Sequence, residues 1–149
     1  MNRAYIAGFV DGEGCIGFAR ARKSIYPRVI ITNTNVKVLE SIRKIYGGDI
    51  RPLSGRKANW KQGYSLRLTC DRAVGFLEHI YPWLRLKRNQ AITIFLWDAI
   101  KLGRGKHSET KQNEYRGTCE LLINQIKWLN QKGPQTREEP MAVELRSTA

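Results

Sequence analysis

Acidic residues, histidine and cysteine are all scarce in this chain, and each shortage removes a class of function. Only 13 Asp and Glu stand against 26 Lys and Arg in 149 residues, a formal net charge of +13. A chain this basic attracts polyanions rather than cationic partners. Its two histidines, His79 and His107, are isolated and read as structural or solvated, so no zinc ligand set forms. The three cysteines, Cys15, Cys70 and Cys119, are odd in number and widely separated. They form neither a disulfide framework nor a metal pattern. They are expected to be buried small hydrophobes of a protein in a reducing, intracellular compartment, whether cytoplasm, nucleoid or an organelle. No apolar run reaches the ~18 residues a membrane span needs. Charged and glycine residues interrupt the N-terminus from Arg3 onward, so no signal sequence is expected either. Ser-His-Asp and phosphate-loop patterns are missing, and no small organic cofactor is implied.

What is present supports a real core: 42% of residues are hydrophobic. The length predicts a single domain, 1–132, followed by a C-terminal tail, 133–149, expected to be mobile. The charge is unevenly placed. From Arg20 to Arg67, twelve Lys or Arg face only Glu40 and Asp49, a net of +10. The remainder holds 26 − 12 = 14 basic and 13 − 2 = 11 acidic residues, a net of +3. That concentration implies one surface built to meet phosphate.

Asn2 is a plausible N-cap for a helix from about Arg3 to Asp11, ended by Gly12 and Gly14. A period of two through Ile16 and Phe18, continuing into Arg20 and Arg22, predicts a strand. Tyr26 to Thr32 predicts a second, antiparallel one. Val38, Leu39, Ile42 and Ile45 then predict a helix up to Gly47-Gly48. The pattern repeats: strands at Asp49 to Leu53 and Tyr64 to Thr69, then a helix capped by Asp71 and ending at Pro82. Two longer helices follow. The first, about Lys87 to Leu102, should be buried through Ile92, Phe95, Leu96, Ala99 and Ile100. The second, about Glu109 to Gln131, carries Tyr115, Cys119, Leu122, Ile126 and Leu129 on one stripe. The class is α+β, a four-stranded antiparallel sheet with helices on one face.

Alternation leaves the other sheet face with Tyr26, Arg28, Ile30, Thr32, Arg51, Ser65 and Arg67 pointing outward. Arg20, Arg22 and Lys23 extend it, as does the loop bearing Arg56, Lys57, Asn59, Trp60, Lys61 and Gln62. Such a saddle suits the DNA major groove, where Arg reads guanine and Asn or Gln reads adenine.

The first helix carries the sharper signal. Ala4, Gly8 and Gly12 recur every fourth residue, so one helix face is nearly bare backbone. Glycine costs ~1 kcal/mol in a helix relative to alanine, so that face should have a use. Small residues at this spacing let a second helix approach closely. Two such helices would set their Asp11-Gly12-Glu13-Gly14 turns side by side.

Ile6 to Gly14, Ile-Ala-Gly-Phe-Val-Asp-Gly-Glu-Gly, resembles the signature of the LAGLIDADG homing endonucleases. The resemblance extends over about residues 3 to 105. It takes in the order of elements, Asn33-Thr34-Asn35 before the second helix, and Pro82-Trp83-Leu84-Arg85-Leu86-Lys87. It implies the αββαββα homing-endonuclease fold and a site-specific, double-strand DNA endonuclease hydrolysing phosphodiesters with Mg²⁺ or a similar divalent metal. One motif per chain implies a homodimer and a long, pseudo-palindromic target, in a role such as intron homing. By the same resemblance Glu13 is the metal ligand, with the Gly12 carbonyl beside it. Lys87 acts near the reacting water, and Asn33 is a possible water-positioning residue. Asp11 braces the interface or caps backbone, and Ala4, Ala7, Gly8, Asp11 and Gly12 form the dimer interface. Glu13 stands where the motif's name has Asp, a shift of one methylene. The alternatives are a non-cleaving DNA- or RNA-binding protein of the same fold, such as a maturase-like splicing cofactor or repressor, and a basic ribosomal-type RNA binder. The latter leaves the bare helix face unexplained.

Overall fold

A computed structural model describes residues 1–21, 24–54, 59–102 and 109–131. Arg22, Lys23, Arg56, Lys57 and the expected tail lie outside them. The order is α1 (Arg3–Glu13), β1 (Gly14–Ala21), β2 (Ser24–Asn33), α2 (Val36–Tyr46), β3 (Asp49–Pro52), β4 (Tyr64–Thr69) and α3 (Asp71–Ile80). A 3₁₀ turn at Tyr81–Trp83 leads into α4 (Arg88–Leu102) and α5 (Glu109–Leu129). This is the expected α+β, αββαββα arrangement. The sheet is fully antiparallel in the order β1-β2-β4-β3.

The core lies between the sheet and α1 to α4. Ile6, Val10, Ile16, Val29, Ile31, Leu66 and Leu68 are all 0% exposed, joined there by Leu39, Ile42, Phe76, Leu77 and Ile94. Strand alternation fixes this side: Ile16 pairs with Val29, and Val29 with Leu68, so one row of β-branched and leucine side chains faces the helices. A smaller cluster of Trp97, Cys119 and Leu122 packs against Phe18 and joins α4 and α5 to β1. Along the open edge of β1, the Asn130 amide donates to the Ile16 carbonyl at 2.8 Å. That contact blunts one exposed strand edge.

Four expectations are corrected. Helix α1 runs through Gly12 to Glu13 instead of stopping at Asp11, because Gly14 makes the turn. A Cβ at Gly14 would stand 2.6 Å from the Val10 carbonyl oxygen, which no side chain tolerates. Asp71 does not cap α3: Cys70 holds that position, at φ 55° and without a side-chain cap bond, while Asp71 sits in the first turn. Asp71 instead accepts from the Lys101 ammonium at 2.8 Å, which raises the Lys101 pKa above its ordinary value. Helix α4 buries Ala91, Ile94 and Trp97, with Gln90 and Thr93, and leaves Ile92 and Ala99 exposed. Cys15 and Cys70 are exposed and only Cys119 is buried. Cys15 alternates with the inward Ile16, and Cys70 occupies a turn.

Candidate active site and nucleic-acid interface

Helix α1 starts at Asn2, whose Oδ1 accepts from the Ala4 amide at 2.9 Å. Ile6, Ala7 and Val10 are 0% exposed and Asp11 is 8% exposed. The opposite side shows Ala4, Tyr5, Gly8, Gly12 and Glu13 to solvent. A Cβ at Gly8 or Gly12 would meet nothing within 4 Å. Ala7 therefore belongs to the core and not to an outward interface, because its position on the helix points at the sheet.

Asp11 is turned inward too, and its contacts define the site. Its carboxylate accepts from the Arg85 amide at 2.8 Å and the Lys87 amide at 2.9 Å. The Lys87 ammonium returns a bond to the Asp11 carbonyl oxygen. These three bonds clamp the segment entering α4 onto the C-terminal end of α1. They remove Asp11 from any outward interface and assign it the backbone-capping role. A cation at a helix C-terminus also favours the dipole. Lys87 is thereby held against Asp11, two residues before Glu13, the exposed last residue of the helix. Leu86, between the two clamped amides, is 77% exposed. Sequence reasoning missed this exposed leucine; its signal was one apolar residue flanked by Arg85 and Lys87.

Gly14 pairs with Ile31, so the end of β2 lies beside the end of α1. Asn33, two residues past that pairing, uses its Oδ1 to accept from the Asn35 amide at 2.8 Å, a local turn that starts α2. Glu13 and the Gly12 carbonyl offer oxygen donors, suited to a hard cation. Among the described residues no group of three or more His, Cys, Asp or Glu converges, so the protein supplies few ligands of its own.

The outer sheet face is basic, with revisions. Tyr26, Arg28, Ile30 and Thr32 on β2 are half-buried, and Arg67 on β4 is exposed. Arg51 is exposed and pairs with Asp49 at 3.5 Å. Ser65 is only 1% exposed, and its Oγ has no partner: between Thr32 and Arg51 in register, the short side chain is covered by its neighbours. Arg20 shares the side of Ile16 and Phe18, where it binds Glu120 of α5, so it does not belong to the outer face. Gln62 is exposed and donates to the Leu53 and Gly63 carbonyls at 3.0 and 2.8 Å, closing the β3–β4 hairpin. Asn59, Trp60 and Lys61 are exposed, Trp60 at 58%.

No protein-family model and no curated protein matches the chain. Solved structures do. The homing endonuclease I-CvuI, in complex with its target in the presence of calcium, is 23% identical with a TM-score of 0.67, over 91% of this chain and 85% of that one. The archaeal intron-encoded homing endonuclease I-Vdi141I, complexed with DNA, is 18% identical with a TM-score of 0.66, over 91% and 88%. The LAGLIDADG meganuclease I-AabMI, bound to uncleaved DNA, is 19% identical with a TM-score of 0.58, over 79% of this chain but 43% of that one. The chain has the LAGLIDADG homing-endonuclease fold. In that fold one copy of αββαββα fills most of the I-CvuI and I-Vdi141I chains and less than half of I-AabMI, in keeping with the single motif at Ile6 to Gly14.

Proposed function

We propose that the protein is a site-specific, metal-dependent DNA endonuclease that acts as a homodimer on a long, roughly palindromic duplex, in a homing role. The carrying observation is a helix face that its own protomer does not use, ending in an exposed carboxylate. Gly8 and Gly12 meet no atom within 4 Å where a Cβ would stand, yet each costs ~1 kcal/mol relative to alanine. A second copy packed on that face gives the glycines a use and brings two Glu13 side chains together. Tyr5, 51% exposed, and Leu86 add apolar surface next to it for the partner to cover.

Glu13 and the Gly12 carbonyl would hold Mg²⁺, a hard cation that takes oxygen donors and keeps several waters. Such a cation, when bound, supplies water activation and charge neutralisation for phosphodiester hydrolysis. The chain's residues do the rest. Lys87, clamped at the end of α1, contributes positive charge beside the reacting phosphate. Arg28, Arg51 and Arg67 hold the duplex across the sheet, and two-fold protein symmetry imposes two-fold symmetry on the target. That the solved I-CvuI complexes were obtained with calcium and with magnesium supports a divalent metal here.

One observation favours a second reading, a non-cleaving DNA- or RNA-binding protein of maturase type. The Lys87 ammonium and the Asn33 Oδ1 are both already bonded within the protomer. Incubating a random duplex library with the protein and Mg²⁺, and separately with chelator, separates the two. Cleavage at one preferred site with Mg²⁺ alone is expected. Selective binding without cleavage would support the second reading, and no duplex binding would overturn the DNA-directed endonuclease.

A further inference from the structure

Resting on the DNA reading above, we infer that, among the described strand residues, base readout in each half-site falls to β2 and β4, with Arg28 and Arg67 as the guanine-reading residues and β1 silent. Strand β1 has the sequence Gly-Cys-Ile-Gly-Phe-Ala-Arg-Ala. Its outward positions are Cys15, Gly17, Ala19 and Ala21, none long enough or polar enough to hydrogen-bond a base edge. Its one strong donor, Arg20, is on the other face and bound to Glu120. At Gly17 the side-chain side is itself closed off by α5, since a Cβ there would lie 3.5 Å from Ile126 Cγ2 and 3.8 Å from Asn130 Nδ2. A strand beside the groove with no side chain to read it can follow the duplex only by shape and by methyl contacts.

The next strands are different. In register Arg28 lies between Gly17 and Thr69, and Ile30 lies between Cys15 and Arg67. Arg28 and Arg67 are thus diagonal neighbours on one face, roughly 7–8 Å apart at the backbone. That separation is about two base-pair steps of ~3.4 Å. Among the described residues neither guanidinium has a partner, whereas Arg51 is tied to Asp49 at 3.5 Å and the Ser65 hydroxyl is buried. A free guanidinium fork matches the O6 and N7 acceptors of guanine in the major groove. Ile30, between the two arginines, presents a methyl surface suited to the C5 methyl of thymine. The small residues of β1 leave the long β2 side chains room to reach.

The test is selection of bound duplexes from a random library, in Ca²⁺, by the wild type and by four variants. Arg28→Ala and Arg67→Ala are each expected to erase the preference for one guanine per half-site, by roughly 5- to 150-fold. Cys15→Ala combined with Ala19→Gly is expected to leave the selected consensus unchanged. Ala19→Gln is expected to add a new adenine preference, because it gives β1 a reader. A consensus altered by stripping β1, or guanine preferences that persist without Arg28 and Arg67, would overturn the inference. Should the alanine variants fail to fold by circular dichroism, Arg28→Lys and Arg67→Lys keep charge and stem but lose the fork. They are expected to weaken the same guanine preferences, and unchanged preferences would overturn the assignment. If the wild type selects no duplex at all, the DNA reading itself is lost. If it selects sites whose preferences ignore Arg28 and Arg67, only this allocation is lost.

Discussion

The two sides of α1 obey different rules. On the inner side Ile6, Ala7, Val10 and Asp11 are at most 8% exposed, and each is accounted for by its own protomer: three pack against the sheet and the fourth clamps Arg85 and Lys87. On the outer side Ala4, Gly8 and Gly12 touch solvent, and the two glycines have open space where a side chain would stand. A folding protomer has no use for glycine there, since alanine would stabilise the helix by ~1 kcal/mol. Small residues on an inner face report internal packing. On an outer face they leave open space, which the proposed second copy would fill.

The largest effects separate those two sides. Ala7→Leu forces a larger side chain into a filled core and should destabilise the fold by about 1–3 kcal/mol, read as a lowered melting temperature. Gly8→Leu, one residue on, should leave the monomer folded and as stable as the wild type or more so, while sedimentation shows the dimer lost. A dimer that survives Gly8→Leu would break the comparison. A smaller effect tests the clamp. Lys87→Met is expected to slow cleavage on the order of 10²-fold with DNA affinity nearly unchanged, whereas lost affinity with normal turnover would make Lys87 a simple phosphate contact. The smallest effect lies away from the site. Cys70 sits at φ 55°, a conformation that costs a side chain of order 1–3 kcal/mol. Cys70→Gly should therefore raise stability by about 1 kcal/mol in urea unfolding, after the entropy that glycine forfeits.

Periodicity carried most of the fold. Alternating Val29 and Ile31, Leu66 and Leu68 placed the inner sheet face correctly, and the Ile6 to Gly14 motif placed the helix end that bears Glu13. The same alternation already put Arg20 with Ile16 and Phe18, away from the outer face. Grouping it with the basic patch overrode the strand's own signal. Ser65 needed the lengths of its cross-strand neighbours, which no single strand reveals. The Asp11 clamp was beyond any spacing argument, because its partners lie 74 and 76 residues away and are backbone amides that any residue could offer. Cys70 was hidden for a related reason: the backbone angle that links β4 to α3 favours glycine, and the sequence holds cysteine there.

Cleavage of a selected duplex by Glu13→Gln in Mg²⁺ tests most directly whether the exposed carboxylate at the end of α1 is the reactive centre. The variant should bind the duplex as tightly as the wild type, or more tightly because a negative charge near phosphate is gone, and leave both strands intact. Cutting at the wild-type rate by Glu13→Gln would contradict the assignment.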